Sequence, residues 1–449
     1  MSAARLALAS AVARAAAGAL RIAGSGGTSA PGKILLALAP DAIAERSAAL
    51  RRGSAVISAT NGKTTTSSIV AEIMRGDGAT LVHNRAGANM AGGIAATLND
   101  QRGDFGLFEV DEFWLASLVE QLRPRSILLA NLFRDQLDRY GELDLIVDRW
   151  RDVVASASAR VVLNADDPLV AGLGAVADDP LFFGIEDRSV GSDDPQHASE
   201  QACCPVCGEQ FSYSCFFVGH LGHYFCPQGH VQRPTPQVSA SEIELSGLGG
   251  STFTLTIDGR SHQTDLAMPG LYNVYNAVAA AALANSLGVS DETIIAGIRG
   301  ARPAFGRAET VDVAGRPCSI MLIKNPAGTN EVLRTLASDP LDQDLLVVLN
   351  DQIADGRDIS WIWDADFEQL AQSQGVITCS GSRAVELGLR LKYAGVAPER
   401  ISVRPKLDDA LAASLESDGE RLVILPTYTA MLEVRELLVS RGAAPESFQ

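Results

Sequence analysis

One stretch constrains this chain more than any other. Residues 55–66 have the sequence Ala-Val-Ile-Ser-Ala-Thr-Asn-Gly-Lys-Thr-Thr-Thr. Its apolar start predicts a strand, its middle a tight turn, and the residues from about Ser67 to Arg75 a helix. Backbone N–H groups at such a turn point toward an anion, and the positive end of the helix dipole favours negative charge there. The stretch therefore predicts a phosphate-binding loop within an α/β domain.

The polar residues of this loop suit a nucleoside triphosphate. Lys63 provides a positive charge for the outer phosphates, and the Thr64 hydroxyl can hold Mg²⁺. The common pattern G-x-x-x-x-G-K-[ST] is incomplete, because its first glycine would fall at Ile57. The shorter pattern T-N-G-K-T-T still lies between a predicted strand and a predicted helix. We expect its residues to bind ATP: Thr60, Asn61, Gly62, Lys63, Thr64 and Thr65.

The length of the chain limits its number of domains, and its net charge limits the classes of partner that it can bind. A chain of 449 residues is too long for one core, which predicts two or three domains. The formal net charge of −17 argues against non-specific nucleic-acid binding, which needs clustered Lys and Arg side chains. We therefore expect no nucleic-acid partner, although an anionic small substrate can still bind in a locally basic cleft.

Residues 1–52 predict a helical N-terminal segment. Arg14 interrupts its alanine-rich start, which argues against a secretory signal and a membrane span. A helix at the edge of a domain and a helix resting on a membrane surface both fit this stretch. We expect a cytoplasmic protein. The alternative is a cytoplasmic protein that attaches peripherally to the inner face of the plasma membrane.

Residues 53–304 alternate short apolar runs with helical patterns, which predicts a mainly parallel sheet covered by helices on both faces. Ligands of such sheets bind at the carboxyl ends of the strands. Polar clusters that contain Glu109, Asn131 and Asp167 follow three of these runs. Carboxylates beside a triphosphate are natural Mg²⁺ ligands. Thr64 and Glu109 are therefore the candidate magnesium ligands.

Residues 305–449 show the same alternation on a smaller scale and predict a second α/β domain. The apolar runs, which predict strands, are 345–349, 376–379 and 422–425. The helical patterns are 366–373, 384–393 and 429–441.

Five of the seven cysteines lie between Cys203 and Cys226. Such clustering inside a long chain indicates a metal site in a reducing compartment and not a disulfide framework. We expect a zinc ribbon inserted at about 200–235, with a closed Cys₃His set that has a folding role. Cys215 is the alternative to the histidine as fourth ligand. The expected zinc ligands are Cys204, Cys207, Cys226 and His230.

Several segments together resemble the Mur ligase superfamily, ATP-dependent enzymes that join an amine to a carboxylate in cell-wall assembly. These segments follow the family's order across most of the chain. They are 60–65, the strand end at Glu109, 164–168, 273–276, 306–309 and 325–327. Further features resemble the MurT-type subgroup, the subunits of lipid II isoglutaminyl synthase. They are the segments 83–90, 131–139 and 355–364 and the ribbon inserted in the ATPase domain.

The resemblance implies a Mur-ligase-like middle ATPase domain, a C-terminal Rossmann-like domain and a non-covalent partner, a GatD-like glutaminase. The implied reaction is amidation of the D-glutamate α-carboxylate in the stem peptide of lipid II. ATP phosphorylates the carboxylate, and ammonia from the partner then displaces phosphate. Lys63 and Glu109 would serve the phosphoryl transfer. Asn276 and Asp167 are the candidates for adenine or ribose, Arg307 is the candidate for phosphate, and Asn325 would close over the nucleotide.

The same resemblance assigns a separate role to Asp358. In the MurT-type subgroup the glutaminase carries a cysteine and a histidine, and the other subunit supplies the aspartate of the triad. Asp358 corresponds to that aspartate and would orient the partner's histidine. Asp355 is the alternative, and both could instead be loop carboxylates that cap the helix near Ser360.

The chain departs from the family pattern at three positions. Ala59 stands where glycine is usual, and Gln136 stands where typical Mur ligases have a histidine near the metal. The second half of the ribbon lacks the closely spaced cysteine pair that is expected there, and Gln228 stands in its place. The identity of the fourth zinc ligand is therefore open.

Two other functions compete with amidation. One is a Mur-type amino-acid ligase such as folylpolyglutamate synthase, whose relatives lack both the ribbon and the Asp358 segment. The other is a non-catalytic zinc-ribbon adaptor that binds ATP only for structure, and the ribbon's few basic residues argue against an RNA partner for it.

Overall fold

The computed structural model describes residues 3–22, 29–84, 87–134, 143–196, 202–303, 306–417 and 419–443. Gln136 and the end of the segment 131–139 lie outside these residues. The helices are α1 Ala3–Ile22, α2 Ala30–Leu38, α3 Ala42–Ser47, α4 Lys63–Gly76, α5 Ala91–Asp100, α6 Leu115–Leu122, α7 Leu143–Ser156, α8 Pro168–Ala171, α9 Leu271–Ser286, α10 Asp291–Gly300, α11 Pro326–Ala337, α12 Ala384–Tyr393, α13 Leu407–Leu415 and α14 Tyr428–Ser440. The strands are β1 Ser54–Ser58, β2 Leu81–His83, β3 Phe105–Glu109, β4 Ser126–Leu129, β5 Arg160–Asn164, β6 Leu181–Ile185, β7 Ser212–Val218, β8 Leu221–Phe225, β9 Val238–Leu245, β10 Ser251–Ile257, β11 Arg260–Leu266, β12 Arg307–Val313, β13 Arg316–Met321, β14 Gln343–Val348, β15 Ile377–Ser380, β16 Ile401–Val403 and β17 Arg421–Pro426.

The larger sheet carries the predicted phosphate loop near its centre. Its order in the described part of the chain is β11-β10-β9-β6-β5-β4-β1-β3-β2. The strands from β2 to β9 in this order are parallel, whereas β10 and β11 complete the edge as antiparallel neighbours. β1 lies between β3 and β4, and all five of its residues are buried. Burial on both faces explains why its sequence is almost continuously apolar. The predicted parallel-rich α/β fold is confirmed.

The N-terminal helices pack on this domain. Ala9, Ala13 and Ala17 form the buried face of α1 at a spacing of four residues, as expected for a helix packed along one side. Their small side chains allow a close approach, and α1 packs mainly against α2. No helix of the described residues combines the length and the apolar character needed to cross a bilayer.

The smaller sheet forms the core of the C-terminal domain. Its order in the described residues is β12-β13-β17-β14-β15-β16, and all neighbours except β12 and β13 run parallel. The predicted helix at 366–373 is wrong, because the structure has a 3₁₀ turn at Phe367–Gln372. Phe367 and Leu370 are its buried residues. Their spacing of three suits the tighter 3₁₀ turn as well as one turn of an α-helix, so the sequence pattern did not separate the two.

The inserted segment forms a hairpin of its own. β7 and β8 pair antiparallel in a two-stranded sheet between β6 and β9. The chain then returns to the larger sheet at Val238, the first residue of β9. The composition of the insertion did not indicate this strand.

Candidate nucleotide site and metal centre

The phosphate loop is shaped by Gly62. This residue is the N-cap of α4 and has a φ of +86°, a conformation that glycine adopts without Cβ strain. A Cβ at this position would lie 2.1 Å from Oδ1 of Asn276 on α9. That same oxygen accepts a hydrogen bond from Thr66 Oγ1 at 3.2 Å, and the Asn276 amide donates to Asn273 Oδ1 at 3.1 Å. Glycine is therefore required both by the backbone and by the contact with α9.

We expect Gly62→Ala to lower the free energy of unfolding by about 2 to 4 kcal/mol, since it combines a strained φ with a clash. Asn276 would have to turn away and lose its hydrogen bonds. Gly315→Ala is the matched control, because Gly315 has the same φ of +86° with nothing within 4 Å of its added Cβ. Urea unfolding of both variants measures the difference, and equal losses would contradict the importance of the Asn276 contact.

Glu109 and Thr64 meet at the start of α4. Glu109 is buried, and its Oε2 accepts a hydrogen bond from Thr64 Oγ1 at 3.0 Å. Its Oε1 accepts from Ser67 Oγ at 2.6 Å. The Asn84 side chain bonds the backbone of Glu109 in both directions, at 2.8 and 2.9 Å. The structure thus brings the two predicted magnesium ligands together at a helix N-terminus.

Lys63 is held at the mouth of the loop. Its Nζ donates to the backbone oxygen of Ala59 and forms an ion pair with Glu112 Oε2 at 3.1 Å. Both side chains of this pair are largely buried, and both line a cavity next to the phosphate loop. A phosphate group could replace the Glu112 carboxylate as the partner of this ammonium.

A cavity of about 390 Å³ lies between the two domains. The phosphate loop lines one side, and Lys324 of the C-terminal domain donates to the backbone oxygen of Thr60 at 3.1 Å. The side-chain amides of Asn61 and Asn325 exchange two hydrogen bonds, at 3.2 and 3.0 Å. Asn325 also caps α11 by accepting from the Gly328 N–H at 2.9 Å. The C-terminal domain is therefore closed directly onto the loop.

Arg307 faces this cavity from the first residue of β12. Its guanidinium has no hydrogen bond or ion pair with the described residues. Burial lowers its pKa from the usual value, although an arginine stays protonated in proteins. A partly buried guanidinium with no polar partner among the described residues suits bidentate contact with phosphate oxygens.

Asn276 lines the cavity, but Asp167 does not. Asp167 is fully buried, and its Oδ1 accepts from the N–H groups of Leu169 and Val170 at the start of α8. Its Oδ2 accepts from the Leu132 N–H at 3.0 Å. The structure therefore makes Asp167 a support beneath the 132–133 segment and does not bring it to the nucleotide cavity.

The four predicted zinc ligands converge at the base of the inserted hairpin. The ligand atoms of Cys204, Cys207, Cys226 and His230 all lie within 4.8 Å of one another. The Sγ atoms of Cys207 and Cys226 are 3.6 Å apart, and Cys226 Sγ is 3.8 Å from His230 Nδ1. Ligands about 2.3 Å from a tetrahedral Zn²⁺ are separated by about 3.8 Å. Cys215 is buried in β7 outside this cluster, so the geometry favours His230.

The two aspartates proposed for the triad have opposite surroundings. Asp355 is buried and accepts hydrogen bonds from the N–H and the hydroxyl of Thr429, at 2.7 and 2.5 Å. Asp358 is exposed, and its Oδ1 accepts a local bond from the Ser360 N–H at 2.8 Å. This bond lowers the pKa of Asp358 from its usual value. Asp358 is thus a charged carboxylate accessible to another molecule, whereas Asp355 is used within the fold.

Comparison with known proteins decides the family. The Mur ligase middle domain matches residues 57–219, and the MurT ligase C-terminal domain matches residues 322–431. The MurT subunit of lipid II isoglutaminyl synthase from Streptococcus pneumoniae is 34% identical, over 92% of this chain and 93% of its own. The Staphylococcus aureus (strain COL) subunit is 32% identical, over 93% and 94%. This chain belongs to the MurT family.

Solved structures support the fold of this MurT family member. A pseudomurein peptide ligase from Methanothermus fervidus aligns with a TM-score of 0.67 at 24% identity, over 87% of this chain and 79% of that one. The MurF ligase of Thermotoga maritima, solved with ADP, aligns with a TM-score of 0.66 at 14% identity, over 92% and 84%. At these identities the likeness concerns the fold alone.

Several residues of the site escaped the sequence reasoning. Glu112 belongs to a predicted polar cluster, but nothing in its spacing indicated an ion pair with Lys63. Lys324 directly precedes the Asn-Pro-Ala segment 325–327 that resembles the Mur ligase superfamily, and that position was the available signal. Glu331 and Gln196 left no such signal, because their 2.8 Å hydrogen bond joins positions 135 residues apart.

Proposed function

We propose that this chain is the subunit of a lipid II isoglutaminyl synthase that amidates the α-carboxylate of D-glutamate in the stem peptide of lipid II. The observation that carries this proposal is the cavity in which the phosphate loop faces Arg307 across the two domains. The Streptococcus pneumoniae and Staphylococcus aureus relatives bear the name of that activity. Members of the Mur ligase family use ATP and Mg²⁺, and the residues of the cavity fit both.

The reaction converts a poor electrophile into a good one. A carboxylate oxygen of the stem peptide attacks the γ-phosphorus of ATP, the bond between that phosphorus and the bridging oxygen breaks, and ADP leaves. Ammonia then attacks the carbonyl carbon of the acyl phosphate, phosphate leaves with the bonding electrons, and the extra proton passes to solvent. Lys63 and Arg307 would neutralise the transferred phosphoryl group. Thr64 and Glu109 would hold Mg²⁺, which would supply further positive charge for the outer phosphate oxygens.

Ammonia would come from a separate subunit. The name of the MurT relatives implies a partner, and we infer a GatD-like glutaminase that docks where Asp358 is exposed. Asp358 would orient the histidine of that subunit, as the third member of a triad does. We place this assembly in the cytoplasm, at the inner face of the membrane that holds lipid II.

A reconstituted reaction tests the proposal. The purified chain, a candidate glutaminase, lipid II, ATP and glutamine are combined, and the stem peptide is analysed by mass spectrometry for the replacement of one carboxylate by an amide. ATP-dependent amidation is the expected result. Glutamine-independent incorporation of an amino acid would point to a Mur-type amino-acid ligase. Absence of ATP turnover with every component present would point to a non-catalytic adaptor.

We also propose that the cluster at the base of the hairpin holds one structural Zn²⁺. A closed set of three thiolates and one imidazole leaves no open position, so the metal would stabilise the ribbon and take no part in catalysis.

Metal analysis of variants distinguishes the fourth ligand. We expect wild type and Cys215→Ala to bind about one zinc per chain. His230→Ala removes a ligand from the cluster and should weaken zinc binding by at least about tenfold, measured by competition with a chromogenic chelator. Normal zinc affinity in His230→Ala together with loss in Cys215→Ala would reverse the assignment.

A further inference from the structure

The inserted hairpin has two ends with different surroundings. Its metal end carries Cys226, the residue directly after β8, and the rest of the Cys₃His cluster. Its other end is the turn of Gly219 and His220 between β7 and β8. The five residues of β8 span about 17 Å. The metal centre and the turn are therefore joined by one short antiparallel ladder.

The turn end reaches into the cavity between the domains. Val218 and Leu221, which flank the turn, are buried and line that cavity. A Cβ on Gly219 would meet the ring of Phe133 at 3.0 Å and Ala327 of α11 at 3.9 Å. The turn thus lies between the middle domain and the C-terminal domain. We call residues 218–221 the hairpin tip.

Polar contacts fix the hairpin tip against both domains. The Gly219 N–H donates to Gln196 Oε1 at 3.0 Å, and the Gln196 amide donates to the buried Glu331 of α11 at 2.8 Å. His220 is buried, with Nε2 3.4 Å from Asp167 Oδ1 and its ring edge-on to Phe133 at 5.0 Å. Asp167, which supports the 132–133 segment, therefore also contacts the hairpin tip.

The hairpin tip also connects to the phosphate loop. Its neighbour Phe133 donates its N–H to Thr60 Oγ1 at 3.0 Å, and Thr60 belongs to the loop. On the other side, α9 contacts the loop through Asn276, while Ala279, one turn farther along, lines the cavity together with Val218 and Leu221. One turn of helix advances about 5 Å. A base attached to phosphates in the loop can therefore reach the hairpin tip.

We infer that Val218 and Leu221 of the hairpin tip form the apolar wall for the purine base of the nucleotide, and that metal binding at the far end of the hairpin sets nucleotide affinity through this wall. The inference rests on the proposed ATP-binding function of the cavity. Phe183 and Ala279 complete the apolar side, whereas Lys63 lies at the phosphate end. The inserted ribbon then builds part of the substrate site.

Ligands with and without a base test this assignment. Binding of ATP and of inorganic tripolyphosphate to the full chain is measured by isothermal titration for wild type, Leu221→Ala and Val206→Ala. Val206 is an apolar residue at the metal end with 65% of its surface exposed, which makes it the matched control. We expect Leu221→Ala to weaken ATP binding about tenfold while tripolyphosphate binding stays within twofold, since the removed methyl groups belong to the apolar wall and not to the phosphate loop. Val206→Ala should match wild type.

Zinc removal supplies a second measurement on the unaltered sequence. Chelation should weaken ATP binding by a similar factor, and added zinc should restore it, with circular dichroism monitoring the rest of the fold. Unchanged ATP affinity in both Leu221→Ala and the stripped protein would overturn the inference while leaving the proposed function intact. Equal losses for ATP and tripolyphosphate would also overturn it, because the hairpin tip would then support the loop and not the base. Failure of wild type to bind ATP would instead contradict the proposed function itself.

Discussion

Asp358→Asn should abolish the use of glutamine and leave the use of free ammonia intact. With glutamine as nitrogen donor, we expect lipid II amidation by the two-subunit enzyme to fall by about 10²- to 10⁴-fold, because an amide does not hold a triad histidine in its working tautomer. With ammonium chloride, the rate should stay within about twofold of wild type, because amidation in the ATP cavity does not need the glutaminase. Mass spectrometry of the stem peptide measures both rates.

The charge state of Asp358 supports this expectation. Hydrogen bonding by Ser360 depresses its folded pKa, so the carboxylate is ionised at neutral pH and loses its charge only as the pH falls through that lowered value. Any stability from this bond is present above the unfolded pKa and is lost in the same acidic range. Glutamine use above that range should therefore show no titration from Asp358.

Asp364→Asn is the matched control for the triad variant. Asp364 is an exposed carboxylate in the same segment, and its substitution should leave both nitrogen donors unaffected. Asp355→Asn should behave differently again, because it disturbs two part-buried hydrogen bonds that the buried Asp355 carboxylate accepts from Thr429, and it should lower the unfolding midpoint. Wild-type glutamine use in Asp358→Asn would show that another residue completes the triad.

Local sequence signals predicted the elements of the middle domain well. Residues 55–66 join a buried strand to a helix N-terminus, and both periodicity and turn chemistry indicate that arrangement. The convergence of Cys204, Cys207, Cys226 and His230 was also predictable, because their spacing along the chain is typical of a tetrahedral metal site. Such features depend on residues close together in sequence.

Features that depend on long-range packing could not be predicted in the same way. Asp167 follows a strand as a nucleotide ligand would, yet its carboxylate is used by the N–H groups of Leu132 and Leu169. The reciprocal pair of Asn61 and Asn325 joins residues 264 positions apart. No periodic pattern encodes such a contact, because it is set by how the two domains meet.

Lys63→Ala should remove activity with both nitrogen donors. In the proposed reaction the Lys63 ammonium is the positive charge of the phosphate loop, and its loss would leave the transferred phosphoryl group without one of its principal cationic partners. We expect amidation to fall by at least about 10²- to 10³-fold with glutamine and with ammonia alike, the scale seen when one preorganised electrostatic contact is removed. Phosphate release coupled to lipid II and the mass of the stem peptide measure the two halves of the reaction.

The ion pair with Glu112 makes the Lys63 result informative about mechanism. In the present structure the ammonium is partnered by Glu112 at 3.1 Å, so Lys63→Ala also leaves a largely buried carboxylate without its counter-ion, which should destabilise the fold. The double variant Lys63→Ala with Glu112→Gln removes that carboxylate charge and should recover stability without recovering activity. Lys392→Ala, at an exposed lysine of α12, should change neither. Recovery of amidation in the double variant would mean that Lys63 serves to balance Glu112 and not to hold the phosphoryl group.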